Sequence, residues 1–200
     1  MYKRQTHAGP ELGNAVADTL LGKNNPAARC PITWYRSAQD LPDIMEYDII
    51  SADRTYLYDT VEPLFPFGHG LSYSSFVYRD FTAEEKPEGM LFRLTVENTS
   101  QRDGDEVVQL YVSHPDAPEP KPIRTLKGVK RIHLQPGEEQ IVEFTLTPRN
   151  LALVDVDGTT ACCPGRISFY IGGSQPVSEA DRRQHSAEIR VKGPRRVLAR

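Results

Sequence analysis

Phe92-Arg93-Leu94-Thr95-Val96-Glu97 alternates apolar and polar side chains one for one. Successive side chains of an extended chain point to opposite faces, so this stretch reads as a strand with one buried face. Outward from it, Val108, Leu110 and Val112 repeat the pattern, and so do Val142, Phe144 and Leu146 after a turn at Pro136 and Gly137. Leu151 to Val156 runs into Asp157 and Gly158, a hairpin signal, and Ile167, Phe169 and Ile171 form a further strand before Gly172 and Gly173. Ala187 to Val191 adds a last edge strand. About seven short strands separated by turn residues predict an antiparallel β-sandwich.

The N-terminal part follows another rule. Leu12, Ala15, Val16, Thr19 and Leu20 share one face at helical spacing. Pro10 suits the first turn, Glu11 sits at the positive end of the helix dipole, and Gly22 stands where a C-terminal cap often needs positive φ. Pro31 to Tyr35 is a run of β-branched and aromatic residues that reads as one strand of a larger sheet. A helix with one strand cannot bury both of its faces alone, so residues 1–60 are expected to be poorly packed in isolation. From Ser37 to Tyr73 no periodicity persists. Prolines at 42, 63 and 66 and glycines at 68 and 70 predict a long ordered connection that needs a surface to lie against.

Composition narrows the class. With 200 residues, 38% hydrophobic and 26% charged, the chain has room for one full core and a fragment more. A net charge of -3 and scattered basic residues argue against nucleic acid as a partner. No run approaches the roughly 20 apolar residues that cross a bilayer, and the opening residues lead into no secretory signal. A soluble chain is expected, with no membrane partner, its compartment set by sequence that would precede Met1. Cys30, Cys162 and Cys163 offer neither a disulfide framework nor metal-ligand spacing, so no metal or cofactor is expected. The basic tail, Lys192 to Arg200, reads as a frayed, solvated end.

Several stretches together resemble the C-terminal third of family 3 glycoside hydrolases, the β-glucosidase and β-xylosidase group. GlyProGluLeuGlyAsnAlaValAlaAspThrLeuLeuGly (9 to 22) and AsnProAlaAlaArgCysProIleThrTrp (25 to 34) resemble the last helix and strand of that family's α/β sandwich domain. ArgThrTyrLeuTyr (54 to 58) and ProLeuPheProPheGlyHisGlyLeuSerTyr (63 to 73) resemble its linker. ValGluAsnThrSer (96 to 100), GlyAspGluValValGlnLeuTyrVal (104 to 112) and LeuLysGlyValLysArgIleHisLeuGlnProGlyGlu (126 to 138) resemble its fibronectin type III-like module. HisAlaGlyPro (7 to 10) and CysCysPro (162 to 164) depart from the family pattern. The resemblance implies a mainly β chain: a remnant of the α/β domain over 1–36, a linker over 37–76, and a fibronectin type III-like, immunoglobulin-like antiparallel β-sandwich over 77–200.

A retaining glycosidase needs two carboxyl groups about 5 to 5.5 Å apart across the scissile bond. The resemblance implies that the nucleophilic Asp belongs to an N-terminal (β/α)₈ barrel and the acid/base Glu to an earlier part of the α/β domain. Neither segment is in this sequence, so no catalytic residue is assigned and the chain is expected to be inactive alone. Its partners would be that missing barrel and α/β domain, and through them a β-glucoside or β-xyloside. Glu11 lies where a helix N-terminus favours the anion, the opposite of what a general acid needs. Asp48, Asp53 and Asp59 read as solvated loop acids. Arg54, Tyr56 and Tyr58 combine a charged donor with aromatic faces, as sugar sites do, and are either the rim of the parent's site or pins holding the linker. His69 reads as a turn residue, and His114 and His133 as surface residues without partners. The alternative class is a free-standing immunoglobulin-like module binding polysaccharide or a protein, for which Tyr111 and Tyr170 are the expected outward-facing aromatics.

Overall fold

The computed structural model describes residues 9–155, 157–177 and 185–198. The alternating stretches become strands β1 (Phe76–Lys86), β2 (Gly89–Asn98), β3 (Gly104–Ser113), β4 (Thr125–Leu134) and β5 (Glu139–Leu146). They continue as β6 (Leu153–Val154), β7 (Thr160–Cys162), β8 (Gly165–Gly172), β9 (Ser186–Val191) and β10 (Arg196–Val197). One sheet has the order β1-β2-β5, the other β4-β3-β8-β9, and every pairing is antiparallel. β6 and β7 form the hairpin expected at Asp157 and Gly158, with Gly158 at φ +79.

The two sheets meet over the residues that the alternation selects. Phe92, Leu94 and Val96 of β2 stand in register with Phe144, Val142 and Gln140 of β5, and the apolar ones are buried against Val108, Leu110, Val112, Ile167, Phe169 and Ile171 from the other sheet. Phe92 and Phe169 touch across the sandwich with ring centroids 4.7 Å apart. This burial is the main driving force for the fold.

The predicted helix forms as α1 (Leu12–Leu20), and Gly22, at φ +74, donates its N–H to the Thr19 carbonyl at 3.1 Å. None of its residues is buried, and Leu20 is 71% exposed. The strand expected at Pro31 to Tyr35 shrinks to a single bridge, Trp34 to Phe65, because only the connecting segment offers it a backbone partner. A second, one-turn helix, α2 (Thr55–Tyr58), interrupts that segment.

Four expectations need correction. Tyr111 faces outward from its sheet but is 1% exposed, because the connecting segment covers it. His114 is buried, and its Nε2 donates to the Leu151 carbonyl at 2.9 Å, where the loop after β5 crosses the end of β3. His133 is exposed but not alone: its Nδ1 lies 2.6 Å from Asp105 Oδ1. The basic tail is pinned rather than frayed at Arg196 and Val197, which pair with Cys162 and Ala161, while Arg195 bonds Asp155; residues 199–200 lie outside the described residues.

The two histidines pull stability in opposite directions with pH. Burial lowers the His114 pKa, opposed by its Leu151 bond and reinforced by the Lys127 charge. The unfolded chain then binds more protons than the folded one, so the contribution of His114 is complete above its ordinary value and is lost as pH falls through the folded one. His133 is raised by its Asp105 bond, so its contribution is present at low pH and fades as pH rises through the folded value. His114→Gln is therefore expected to lose less stability than the parent chain between about pH 7 and about pH 5, measured by urea unfolding. Equal acid slopes would show that the ring is not held neutral by the fold.

Candidate functional site

The segment between α1 and β1 is seated on the sandwich by buried polar groups together with an aromatic contact. In β3, Val108, Leu110 and Val112 point into the core, which turns Gln109 and Tyr111 outward under the connecting segment. Gln109 Nε2 donates to the carbonyls of Gly68 at 3.1 Å and Gly173 at 2.9 Å, and the Tyr111 hydroxyl donates to Gln109 Oε1 at 2.6 Å. The Gln109 amide and the Tyr111 hydroxyl thus keep partners on leaving water, which offsets the cost of burying a polar strand face.

The same contact absorbs one of the three predicted sugar-site residues. Tyr56 stacks on Phe67, with centroids 4.1 Å apart, meets the Tyr111 ring edge-on, and accepts a hydrogen bond from the Leu126 N–H at 3.2 Å. Residues two apart on a helical turn lie on opposite sides, so Tyr58 points away from Tyr56. Tyr58 is half-buried, and burial raises its hydroxyl pKa. Arg54 donates through Nη2 to the Asp43 carbonyl, and its Nε is buried without a partner. The structure thus does not gather Arg54, Tyr56 and Tyr58 into one platform.

The loop acids have separate duties. Asp48 accepts from the N–H groups of Ile50 and Ser51 at 2.9 and 3.2 Å, closing a turn. Asp59 accepts from the Val61 N–H, and its other oxygen is buried without a partner; desolvation, then the neighbouring charges of Asp53 and Asp40, raise its carboxyl pKa. His69, between two glycines, stacks on Phe65 with centroids 5.0 Å apart, as packing requires, and burial together with Arg29 lowers its pKa.

Polar fastening continues toward α1. Asn25 donates to Ser74 Oγ at 2.7 Å and the Asp103 carbonyl at 2.8 Å, and accepts from Ser72 and from the Tyr73 N–H. The Tyr73 hydroxyl donates to the Thr19 carbonyl at 2.7 Å, near the end of α1. Arg29 pairs with Glu106 at 2.6 Å, beside a cavity of about 260 Å³ lined also by His69, Ser72, Ser74 and Tyr78. Sequence reading missed Asn25, Arg29, Glu106 and Gln109. No local signal marked Gln109, which keeps the outward parity of β3 and is covered from residue 68.

Two family models match separate stretches of the chain. A model of the glycosyl hydrolase family 3 C-terminal domain matches residues 5–73, and one of the fibronectin type III-like domain matches residues 106–175. The chain belongs to the C-terminal region of glycoside hydrolase family 3. Among its family 3 relatives, a xylan 1,4-beta-xylosidase of Xylanibacter ruminicola is 34% identical over 171 residues, 84% of this chain and 19% of that protein. A probable beta-glucosidase J of Aspergillus fumigatus is 40% identical over 167 residues, 73% of this chain and 19% of that one. The solved beta-glucosidase 3B of Thermotoga neapolitana, in complex with alpha-D-glucose, superposes with a TM-score of 0.80 at 30% identity, over 96% of this chain and 28% of that chain. The chain therefore spans about a fifth of the length of these curated relatives.

The glycine of the family-like ProPheGly turn has a steric reason here. Gly68 sits at φ +79, and a Cβ on it would lie 2.2 Å from Gln109 Oε1 and 2.8 Å from the Tyr111 hydroxyl. Gly68→Ala combines left-handed strain with a clash against a bonded amide, and is expected to lower unfolding free energy by roughly 2 to 4 kcal/mol. Chemical denaturation reads this directly; a change within about 0.5 kcal/mol would mean the contact is slack.

Proposed function

We propose that this chain is the C-terminal portion of a longer β-glycosidase that hydrolyses O-glycosyl bonds of β-glucosides or β-xylosides, and that it contributes docking rather than chemistry. The observation that carries this reading is α1. It is an amphipathic helix with no buried residue, bonded near its end by the Tyr73 hydroxyl of the linker, so its apolar stripe is left for another surface. The loop beyond it repeats the theme, with Ile44 82% and Tyr47 81% exposed. Such apolar surface, next to a helix that lacks its sheet, is the signature of an interface with absent polypeptide. The α/β domain and barrel that family 3 resemblance supplies would cover it and bring the two carboxyl groups. In that setting Tyr56 pins the linker, while Arg54 and Tyr58 are left to approach the substrate.

A free-standing polysaccharide-binding module draws less support. Tyr111, one of the two aromatics such a module would present, is covered by Tyr56, and Tyr170 is half-buried beside it.

The 200-residue chain, assayed on aryl β-glucoside and β-xyloside substrates, is expected to give no turnover above buffer. Turnover that a single carboxylate substitution abolishes would overturn the proposal.

A further inference from the structure

The joint contains a charge pair that neither side could bury alone. Glu106 lies on the core-facing side of β3 at one end of the sandwich and is 4% exposed. From the opposite sheet, the Tyr78 hydroxyl of β1 donates to its Oε1 at 3.0 Å, so this carboxylate already bridges both sheets. Its balancing charge comes from outside the sandwich: Arg29 Nη2 reaches the same oxygen at 2.6 Å. A carboxylate or guanidinium stranded here without its partner would be strongly unfavourable.

The surroundings are shaped for this pair. A Cβ on Gly70 would lie 2.4 Å from Arg29 Nη1, and one on Gly173 would lie 2.8 Å from Glu106 Oε1. Both glycines leave the room that the charged groups occupy. Arg29 Nε is buried with no partner, a desolvation cost that the Nη2 contact must outweigh. Immediately beside Arg29, the Cys30 N–H donates to the His69 carbonyl at 2.7 Å, and the Gly68 N–H donates to the Cys30 carbonyl at 2.8 Å. These two bonds couple the segment carrying Arg29 to the linker.

We infer that Arg29, Glu106 and Tyr78 form a positioning lock that fixes the α1-bearing segment and the linker on the sandwich, and that can open without unfolding the sandwich. The lock acts on the attitude of the segment, not on any reaction. It concerns contacts within this chain alone, so it stands or falls separately from the glycosidase reading.

Hydrogen exchange on the whole chain tests it. Glu106→Gln and Arg29→Met are each expected to speed exchange at the Cys30 and Gly68 amides by about tenfold or more, while amides of the β2–β5 ladder stay within about twofold. The double variant should add little to either single one, because both remove the same interaction. Arg29→Lys, which keeps the charge, should recover part of the protection, and Tyr78→Phe, which keeps both charges, should cause a smaller rise in the same amides. Unchanged exchange at Cys30 and Gly68, additive effects in the double variant, or equal acceleration in the ladder would each overturn the lock. Should Glu106→Gln fail to fold, the Tyr78→Phe and Arg29→Lys pair decides by the same amides.

Discussion

A buried carboxylate inside the end of a β-sandwich requires a compensating charge, and in this chain the charge arrives from a segment that is not part of the sandwich. The pairing of Glu106 with Arg29 makes the connecting segment a structural component of the module it precedes. Gln109 and Tyr111 extend the same dependence along the outer face of β3, where the Gly68 carbonyl of the segment and the Gly173 carbonyl after β8 accept from Gln109, which accepts from Tyr111. Polar contacts of this kind are directional, so they specify one seating where a greasy contact would tolerate several.

Two sorts of surface therefore divide the work. The sandwich is held by apolar burial between its sheets, with Phe92, Leu94 and Phe169 at its centre. The seat of the linker combines directional polar bonds with the stacking of Tyr56 between Phe67 and Tyr111. The apolar stripe of α1 and the side chains of the loop after it are left exposed. The chain spans about a fifth of the length of the curated relatives it matches, and under the proposed docking role this surface is left for the rest of such a protein.

The sandwich was legible because its strands obey a two-residue period, and Phe92-Arg93-Leu94 carries the same message as the three-dimensional core. α1 was legible for the equivalent reason, and Gly22 marked its end. What alternation could not reveal was whether an outward-facing side chain meets water. Tyr111 and Gln109 obey the outward parity and are nonetheless buried, because the cover comes from residues more than 40 positions earlier. His114 was misjudged likewise: its partner Leu151 lies in a loop whose path no local pattern encodes. Tyr56 and Tyr58 do not share one face, because a helical turn sends positions two apart to opposite sides.

The spacing along the chain between the partners of the joint fixes an order of assembly. Arg29 precedes Glu106 by 77 residues, and Asn25 precedes Asp103 by 78. A ribosome releases the earlier member of each pair long before the later one exists, and loop closure over such spans is slow until the sheets supply a surface. The segment carrying Asn25 and Arg29 therefore takes its seat only after β3 has been made and paired with β8.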